Sequence, residues 1–345
     1  MPRATINDVA DLAGVSIKTV SRVVNREPHV RDATREKVNT AISKLNYRPN
    51  LSARNLASHN AHLIILVYDD PDAYHLPSAG FVIKMQQGAL RACRSANYEL
   101  LIHPCDYRSK DVGSELKALA EQIRPTGIVL AAPLSNMPKV VGAIEATGAP
   151  FVQLSPGQES RSRFSVTTND REISAKMTCY LASLGHKKIA FITGHQAHKA
   201  VANRFEGYKD GLLQSGLKFS ARLVASGDNS LVSGEMAAAK VLEQKLRPTA
   251  IFAANDDMAA GVMRYAYKNG INVPGQLSVA GCDDITLAQQ VYPALTTIRQ
   301  PLAAMAELAV MALIDKSGPH VSAKGAKVVP GTLQLRESTG PVAAD

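Results

Sequence analysis

A paired-helix unit near the N-terminus constrains this chain more than any other stretch. It reads Thr5-Ile-Asn-Asp-Val-Ala-Asp-Leu-Ala-Gly-Val-Ser-Ile-Lys-Thr-Val-Ser-Arg-Val-Val-Asn25. Thr5 stands at a helix start, with Asp8 three residues on in capping-box spacing. Val9, Ala10 and Ala13 give the first helix a single apolar stripe. Gly14 can take the positive φ needed where a helix stops and turns. Ser16 is placed to cap a second helix whose apolar positions are Val20, Val23 and Val24. Ala10 is small enough to let the two helices cross closely. Ile17, Lys18, Thr19, Ser21 and Arg22 are left facing outward. They comprise hydroxyl donors, a branched apolar side chain and two cations, the groups a helix needs to touch base edges and phosphates in a major groove.

Two short capped helices around a glycine turn also occur in helical proteins of many kinds, so charge must decide. Residues 1–60 contain ten Lys and Arg against five Asp and Glu, a net +5, while the other 285 residues carry only +4 of the total +9. The basic excess is concentrated at the N-terminus, as expected of a phosphate-contacting head. A third helix follows, with Asp32 as its candidate cap and Val38, Ala41, Ile42 and Leu45 at i, i+3, i+4 and i+7. Pro49 then breaks the helix, and Asn50 can cap another over Leu51–Ser58. Two turns are marginal in water alone, so this segment is expected to order only when something packs on it.

The strings Asp8-Val-Ala10, Ala13-Gly-Val-Ser16, Thr19-Val-Ser-Arg-Val-Val-Asn25, Thr34-Arg-Glu-Lys-Val38, Leu45-Asn-Tyr47 and Pro49-Asn50 occur in one order. With them, residues 5–58 resemble the headpiece of the lactose-repressor (LacI/GalR) family of bacterial transcription factors. The resemblance implies a dimer whose hinge segments enter the minor groove. There a leucine, Leu56 by position, wedges into the central base step and kinks the duplex. The DNA-contacting set expected on these grounds is Thr5, Ser16, Ile17, Lys18, Thr19, Ser21, Arg22, Asn25, Arg54 and Leu56.

Length allows two or three domain-sized units. The chain is 46% apolar and 20% charged, ordinary for a globular protein. It contains no apolar window long enough to span a bilayer and begins without an apolar signal core, so a cytoplasmic, nucleoid-associated protein without membrane contact is expected. Cys93, Cys105, Cys179 and Cys282 are far apart and form no C-x-x-C pair. Structural zinc and a disulfide framework are therefore disfavoured, and the cysteines read as small core residues in a reducing compartment.

From Ala61 the pattern alternates. Strand candidates at Leu63–Tyr68, Glu99–His103, Gly127–Leu130, Phe151–Leu154, Ile189–Ile192, Ala250–Ala253 and Leu277–Ala280 are separated by amphipathic stretches. Those stretches are Phe81–Ala96, Glu115–Gln122, Ile173–Leu184, Val201–Leu213, Met236–Gln244 and Asp257–Asn269. Such alternation implies parallel sheets covered by helices on both faces, here two doubly wound halves, with a ligand at the carboxyl ends of the strands. The predicted organisation is an all-α helix-turn-helix headpiece (1–48), a hinge (49–60) and an α/β core (61–340) with a tail (341–345). One core half spans about 61–163 with 293–325, the other 164–292 with 326–340.

The resemblance extends over this region through Leu184-Gly-His-Lys-Lys-Ile-Ala190, Arg204-Phe-Glu-Gly-Tyr208, Ala254-Asn-Asp256, Gly281-Cys-Asp-Asp284 and Leu295-Thr-Thr-Ile-Arg-Gln300. It implies the fold of type I periplasmic sugar-binding proteins and a small effector between the halves. Arg204, Asn255 and Asp283 are its polar anchors by matched position. Their chemistry suits a polyhydroxylated ligand, with a planar fork of donors, an amide that donates and accepts, and a carboxylate acceptor. For Asp256 and Asp284 helix capping is at least as strong a reading. Relatives often carry a stacking aromatic where Asn229 stands, and this chain has no Trp. Stacking would then fall to Tyr74 or Phe81, and a sugar or sugar derivative is favoured over a flat purine. The loops bearing Ser135 and His198 would complete the cleft.

Phosphate-binding, nucleophile-elbow and zinc-protease motifs are missing, and the doublets Asp69-Asp70, Asp256-Asp257 and Asp283-Asp284 place neighbours on different faces. No catalysis, cofactor or metal is expected. Two alternatives remain, a sugar-binding protein without DNA function and a sugar-active enzyme with a DNA-binding appendage. Ala303–Ile314 reads as an apolar helix, and the C-terminal tail has no leucine heptad. A homodimer on a pseudo-palindromic operator is expected rather than a coiled-coil tetramer.

Overall fold

The computed structural model describes residues 4–24, 30–47, 61–70, 79–157, 164–315 and 325–342. The chain divides into two compact units, residues 1–61 and 62–345.

In the first unit, α1 (Ile6–Ala13) and α2 (Ile17–Val24) are joined by the predicted turn. The Thr5 amide donates to Asp8 Oδ2 at 2.7 Å, and the Asp8 amide donates to Thr5 Oγ1 at 3.4 Å, which closes a capping box. Gly14 ends α1 at φ 65°, left-handed backbone that a β-carbon would strain. Ser16 Oγ accepts from the Thr19 amide at 3.2 Å and so caps α2. The third helix, α3 (Asp32–Lys44), starts differently from expectation. Arg31 occupies the cap position and Asp32 is the first helical residue, with no side-chain cap bond. Its carboxylate still lies at the positive end of the helix dipole. Val9, Val20 and Val38 are fully buried and meet Ala10, Val23 and Ala41, so one small aliphatic cluster holds all three helices. Each buried valine contributes on the order of 1.5–3 kcal/mol.

The second unit contains two six-stranded sheets. The first runs β11 (Gly325–Val328), β5 (Phe164–Thr167), β4 (Phe151–Leu154), β3 (Pro125–Ala131), β1 (Ala61–Asp69), β2 (Glu99–Cys105). Its helices are α4 (Ala79–Ser95), α5 (Val112–Ile123) and α6 (Pro138–Glu145), joined by α12 (Leu302–Ile314). Strand β1 explains the layering. Ile64, Leu66 and Tyr68 pack on one side with α4 and α12, while Ile65 and Val67 pack on the other with α5 and α6. A strand covered on both faces reads as a continuous apolar run, and this one does.

The second sheet runs β12 (Thr332–Gln334), β10 (Thr296–Arg299), β9 (Ser278–Asp283), β8 (Ala250–Ala253), β6 (Ile189–Thr193), β7 (Val224–Ser226). Around it lie α7 (Asp170–Ser183), α8 (Lys199–Gln214), α9 (Leu231–Leu242), α10 (Asp256–Lys268) and the short α11 (Thr286–Gln290). Phe191 on β6 anchors its core, stacked on Tyr208 at 5.0 Å and edge-on to Phe252 at 5.2 Å between ring centroids.

The halves exchange chain at points other than those predicted. β5 pairs with β4 and β11 in the first sheet, although residues 164–167 and 326–328 were expected in the second half. β10 pairs with β9 and β12 in the second, although residues 296–299 were expected in the first. These strands are three or four residues long, too short for a pattern to reveal which sheet receives them. Among the described residues no helix is long and apolar enough to cross a membrane. Cys93, Cys105 and Cys282 are buried, Cys179 partly so, and all four are free thiols.

Candidate effector cleft and DNA-reading face

The carboxyl ends of strands from both sheets converge on a cleft with about 520 Å³ of empty space, part of it open to solvent. The first half supplies Phe81 at the start of α4, Ala132 after β3 and Ser155 after β4. The second supplies His198, Ala200, Val201 and Arg204 from the start of α8, Asn229 before α9, Asn255 before α10, Asp283 at the end of β9 and Gln300 after β10. Both walls therefore come from strand-end segments, where doubly wound folds bind ligands.

Arg204 is 5% exposed and spends two of its three nitrogens on protein partners. Nε donates to Asp170 Oδ1 at 2.8 Å, Nη1 donates to the Ala254 carbonyl at 2.5 Å, and Asp283 Oδ1 stands 3.7 Å from Nη1. A buried guanidinium keeps its charge, so two carboxylates beside it are the compensation burial demands. Gln300 Nε2 donates to the same Asp283 oxygen at 2.5 Å. Burial pushes the Asp283 carboxyl up to about 6, against the pull of Arg204 and Gln300. Burial, with Asp283 nearby, pushes Asp257 up to about 7. His198 is driven the other way, to about 4, by burial and then by His195 and Arg204, so its imidazole is neutral at pH 7.

Asn255 does two jobs. Its Oδ1 caps α10 by accepting from the Met258 amide at 3.0 Å, and its Nδ2 donates to the Asn229 carbonyl at 2.9 Å. Asn229 Oδ1 accepts from the His195 amide at 3.2 Å. Three lining residues hold positive φ without being glycine: Ser155 at 52°, Asn229 at 75° and Asp283 at 121°. Each costs about 1–3 kcal/mol, and such strain gathers where surrounding structure fixes a functional geometry.

Among the described residues, hydrogen bonds tie the halves beside the cleft. Tyr107 Oη meets His195 Nε2 at 3.0 Å, Asn136 Nδ2 donates to the Ala197 carbonyl at 3.3 Å, and Asn203 Nδ2 donates to the Gly157 carbonyl at 2.7 Å. Gly157 is needed at that crossing, since a β-carbon there would stand 2.4 Å from Lys199 Cβ.

Of the sequence-predicted effector set, Phe81, His198, Arg204, Asn229, Asn255 and Asp283 line one cleft. Ser135 does not. Its hydroxyl donates to the Leu154 carbonyl at 3.1 Å, buried in the first half, and Ser155 takes the lining position instead. Tyr74 lies outside the described residues. Asp256 and Asp284 do not cap helices. Asp256 accepts from Thr297 Oγ1 at 2.5 Å and from the Ile285 amide at 2.9 Å, and Asp284 pairs with Arg299 at 2.6 Å and Arg336 at 2.5 Å. Sequence reasoning missed Asp170, Ser155 and Gln300. Gln300 closes a string already singled out, and Ser155 directly follows a predicted strand, so strand-end position was the available signal. Asp170 carried none, because its role depends on which arginine folds beside it.

On the headpiece Ile17, Lys18 and Arg22 are exposed, while Thr19 and Ser21 are partly covered. Ser16 and Thr19 hydroxyls share a hydrogen bond at 2.9 Å, and Thr5 is exposed beside Asp8. Asn25, Arg54 and Leu56 lie outside the described residues.

A helix-turn-helix unit and a two-sheet core with a strand-end cleft define a class of ligand-responsive DNA-binding protein. Residues 5–50 match bacterial regulatory proteins of the lacI family, and residues 178–339 match the periplasmic binding protein-like domain. The chain is 33% identical over 327 residues to the HTH-type transcriptional regulator GalR of Escherichia coli K12, covering 92% of each. Among solved structures, the Lac repressor dimer bound to operator and the anti-inducer ONPF is similar at TM-score 0.80 and 28% identity, over 98% of this chain and 100% of that one. The transcriptional regulator CelR in complex with cellobiose is similar at TM-score 0.74 and 28% identity, over 97% and 100%. The chain belongs to the LacI/GalR family of bacterial transcriptional regulators, and it is a DNA-binding regulator with the fold of the Lac repressor.

Proposed function

We propose that this chain is a cytoplasmic, homodimeric repressor whose hold on a pseudo-palindromic operator is set by a neutral, hydroxyl-rich small molecule, a sugar or sugar derivative, bound between the two core halves without turnover. The observation that carries the ligand class is Arg204. Its charge is already matched by Asp170 and Asp283, and His198 beside it is neutral, so the lining set holds no uncompensated cation to hold a phosphate or carboxylate. Asp283, Asn255, Asn229, Gln300 and Ser155 supply acceptors and donors for hydroxyls. Phe81 supplies an apolar face for a sugar ring. Relatives solved with cellobiose and with ONPG favour the same class.

The effector acts through the halves. It can change DNA affinity only by binding one relative arrangement better than another. The bonds Tyr107–His195, Asn136–Ala197 and Asn203–Gly157 hold the arrangement seen here, and a ligand touching both walls competes with or reinforces them. At the DNA, Lys18 and Arg22 contact bases or phosphates, with Thr5, Ser16, Ile17, Thr19, Ser21, Asn25 and Arg54 completing the face and Leu56 wedging the central step. Calorimetric titration of neutral sugars, sugar phosphates and purines into the wild type and Asp283→Ala tests the ligand. Binding of a neutral sugar lost in the variant is expected; tighter binding of a phosphorylated sugar or a purine, or unchanged affinity in the variant, overturns the assignment.

A further inference from the structure

We infer that His103, Cys105 and Glu115 form a site for a zinc-class divalent metal on the first half of the core, apart from the effector cleft. One nitrogen, one sulfur and one carboxylate oxygen from these residues lie within 4.8 Å of one another. The fold builds the set from simple periodicities. His103 and Cys105 are two apart on β2, so their side chains leave the same face of the strand. β2 is the outer strand of its sheet, paired on the other side with β1. Helix α5 covers that face through Val112, Leu116 and Ala120, which share a cluster with Cys105. Glu115 directly precedes Leu116, on the flank of that buried stripe, and turns its carboxylate back to the strand.

The geometry fits a metal. His103 Nε2 stands 3.3 Å from Glu115 Oε1. Two ligand atoms bound to zinc at tetrahedral angles stand about 3.3 Å apart, given bond lengths near 2.0–2.1 Å. The sulfur needs to approach by about 1 Å to reach the edge a tetrahedral site requires. The donors also differ in exposure. Cys105 is buried, the His103 side chain is 22% exposed and the Glu115 side chain 51% exposed, so the metal would sit at the rim with its fourth position open to water. Thiolate, imidazole and carboxylate together suit zinc rather than magnesium or calcium, which take oxygen ligands. Without metal the thiol is neutral, because burial, Glu115 and Asp69 push it up to about 12; binding therefore releases its proton. Two residues beyond Cys105 is Tyr107, whose hydroxyl reaches His195 across the halves. Metal at this site braces the strand end that carries that contact.

Cobalt(II), a spectroscopic stand-in for zinc, tests the site in the chelator-treated full-length protein. One equivalent is expected to give a thiolate-to-cobalt charge-transfer band and tetrahedral visible bands, both bleached by zinc. Cys105→Ser should abolish the charge-transfer band. Glu115→Gln, at a half-exposed position that leaves the fold intact, should weaken cobalt binding by more than about tenfold, the lower bound for losing even an outer-shell partner. Circular dichroism confirms folding of each variant, and Glu115→Gln decides should Cys105→Ser misfold. Absence of the band in the wild type overturns the site and leaves a His103–Glu115 ion pair. A band unchanged in Cys105→Ser assigns the metal to another thiol, and a cobalt affinity unchanged in Glu115→Gln removes the carboxylate from the set; either result overturns the site.

Discussion

The headpiece puts its working side chains outside; the cleft puts them inside. In the first sixty residues the buried set is small and aliphatic, Val9, Ala10, Val20, Val23, Val38 and Ala41, while Ile17, Lys18 and Arg22 face solvent. In the cleft Arg204, Asn255 and Asp283 are each below 9% exposed and are held by bonds to Asp170, the Met258 amide and Gln300 that also hold the fold. The difference teaches what each site can tolerate. An exposed side chain such as Lys18 can be removed at small cost to folding, because the buried valine cluster does not depend on it. A cleft side chain can be removed only by leaving its partner buried and unmatched.

Breaking the Arg204 network should show the largest effect. Asp170→Ala leaves the guanidinium with only Asp283, 3.7 Å away, and is expected to destabilise the core by about 3–5 kcal/mol while sparing headpiece helicity. Chemical denaturation followed by core tyrosine fluorescence measures this; a loss below about 1 kcal/mol would show that Asp283 alone compensates the charge.

The pH response should oppose the two regions, with a smaller effect because solvent reaches the cleft. Asp257, raised to about 7, is protonated in the folded core where the unfolded chain, at 3.8, is not. The folded state therefore binds more protons between those values, and core stability falls as pH rises through about 7. Asp8 is held below its ordinary value by bonds from the Thr5 amide and hydroxyl. Its contribution is present above about pH 4 and is lost on acidification. Hydrogen-exchange protection is expected to fall in α10 as pH rises from about 4 to about 7, and in α1 only as pH drops below about 4; parallel profiles would contradict the assignment.

Arg22→Ala should cost about 1–3 kcal/mol on the operator if the guanidinium reads a base, with ligand binding unchanged. Equal weakening on a scrambled duplex would reassign it to phosphate contact. Thr5→Ala should show the smallest effect, about 1 kcal/mol of headpiece stability, visible in headpiece melting and silent in the core.

The comparison also explains what could be read from the chain. Capping, the Gly14 turn and the Val20/Val23 stripe are interactions between residues a few positions apart, so the paired helices were legible by spacing, and the basic excess of residues 1–60 marked them as a DNA-contacting unit. So were the strand and helix alternation and the strand-end location of Asn255 and Asp283. Ser135 was misassigned because both it and Ser155 follow strands, and only packing shows which hydroxyl is spent on Leu154. Asp32 reads as a cap because a cap and a first-turn acid look alike in sequence, and the structure puts Arg31 there instead.

The sequence by itself determined where α1 and α2 begin and turn, their outward face and the doubly wound class of the core, because these follow from side-chain period and local hydrogen bonding. Tertiary structure alone decided which sheet receives β5, β10 and β11, that Asp170 compensates Arg204 across 34 residues, and that His103, Cys105 and Glu115 meet. Those pairings join segments with no local pattern in common. They are fixed by burial, since a charge or a sheet edge removed from water must find its partner wherever the chain brings one.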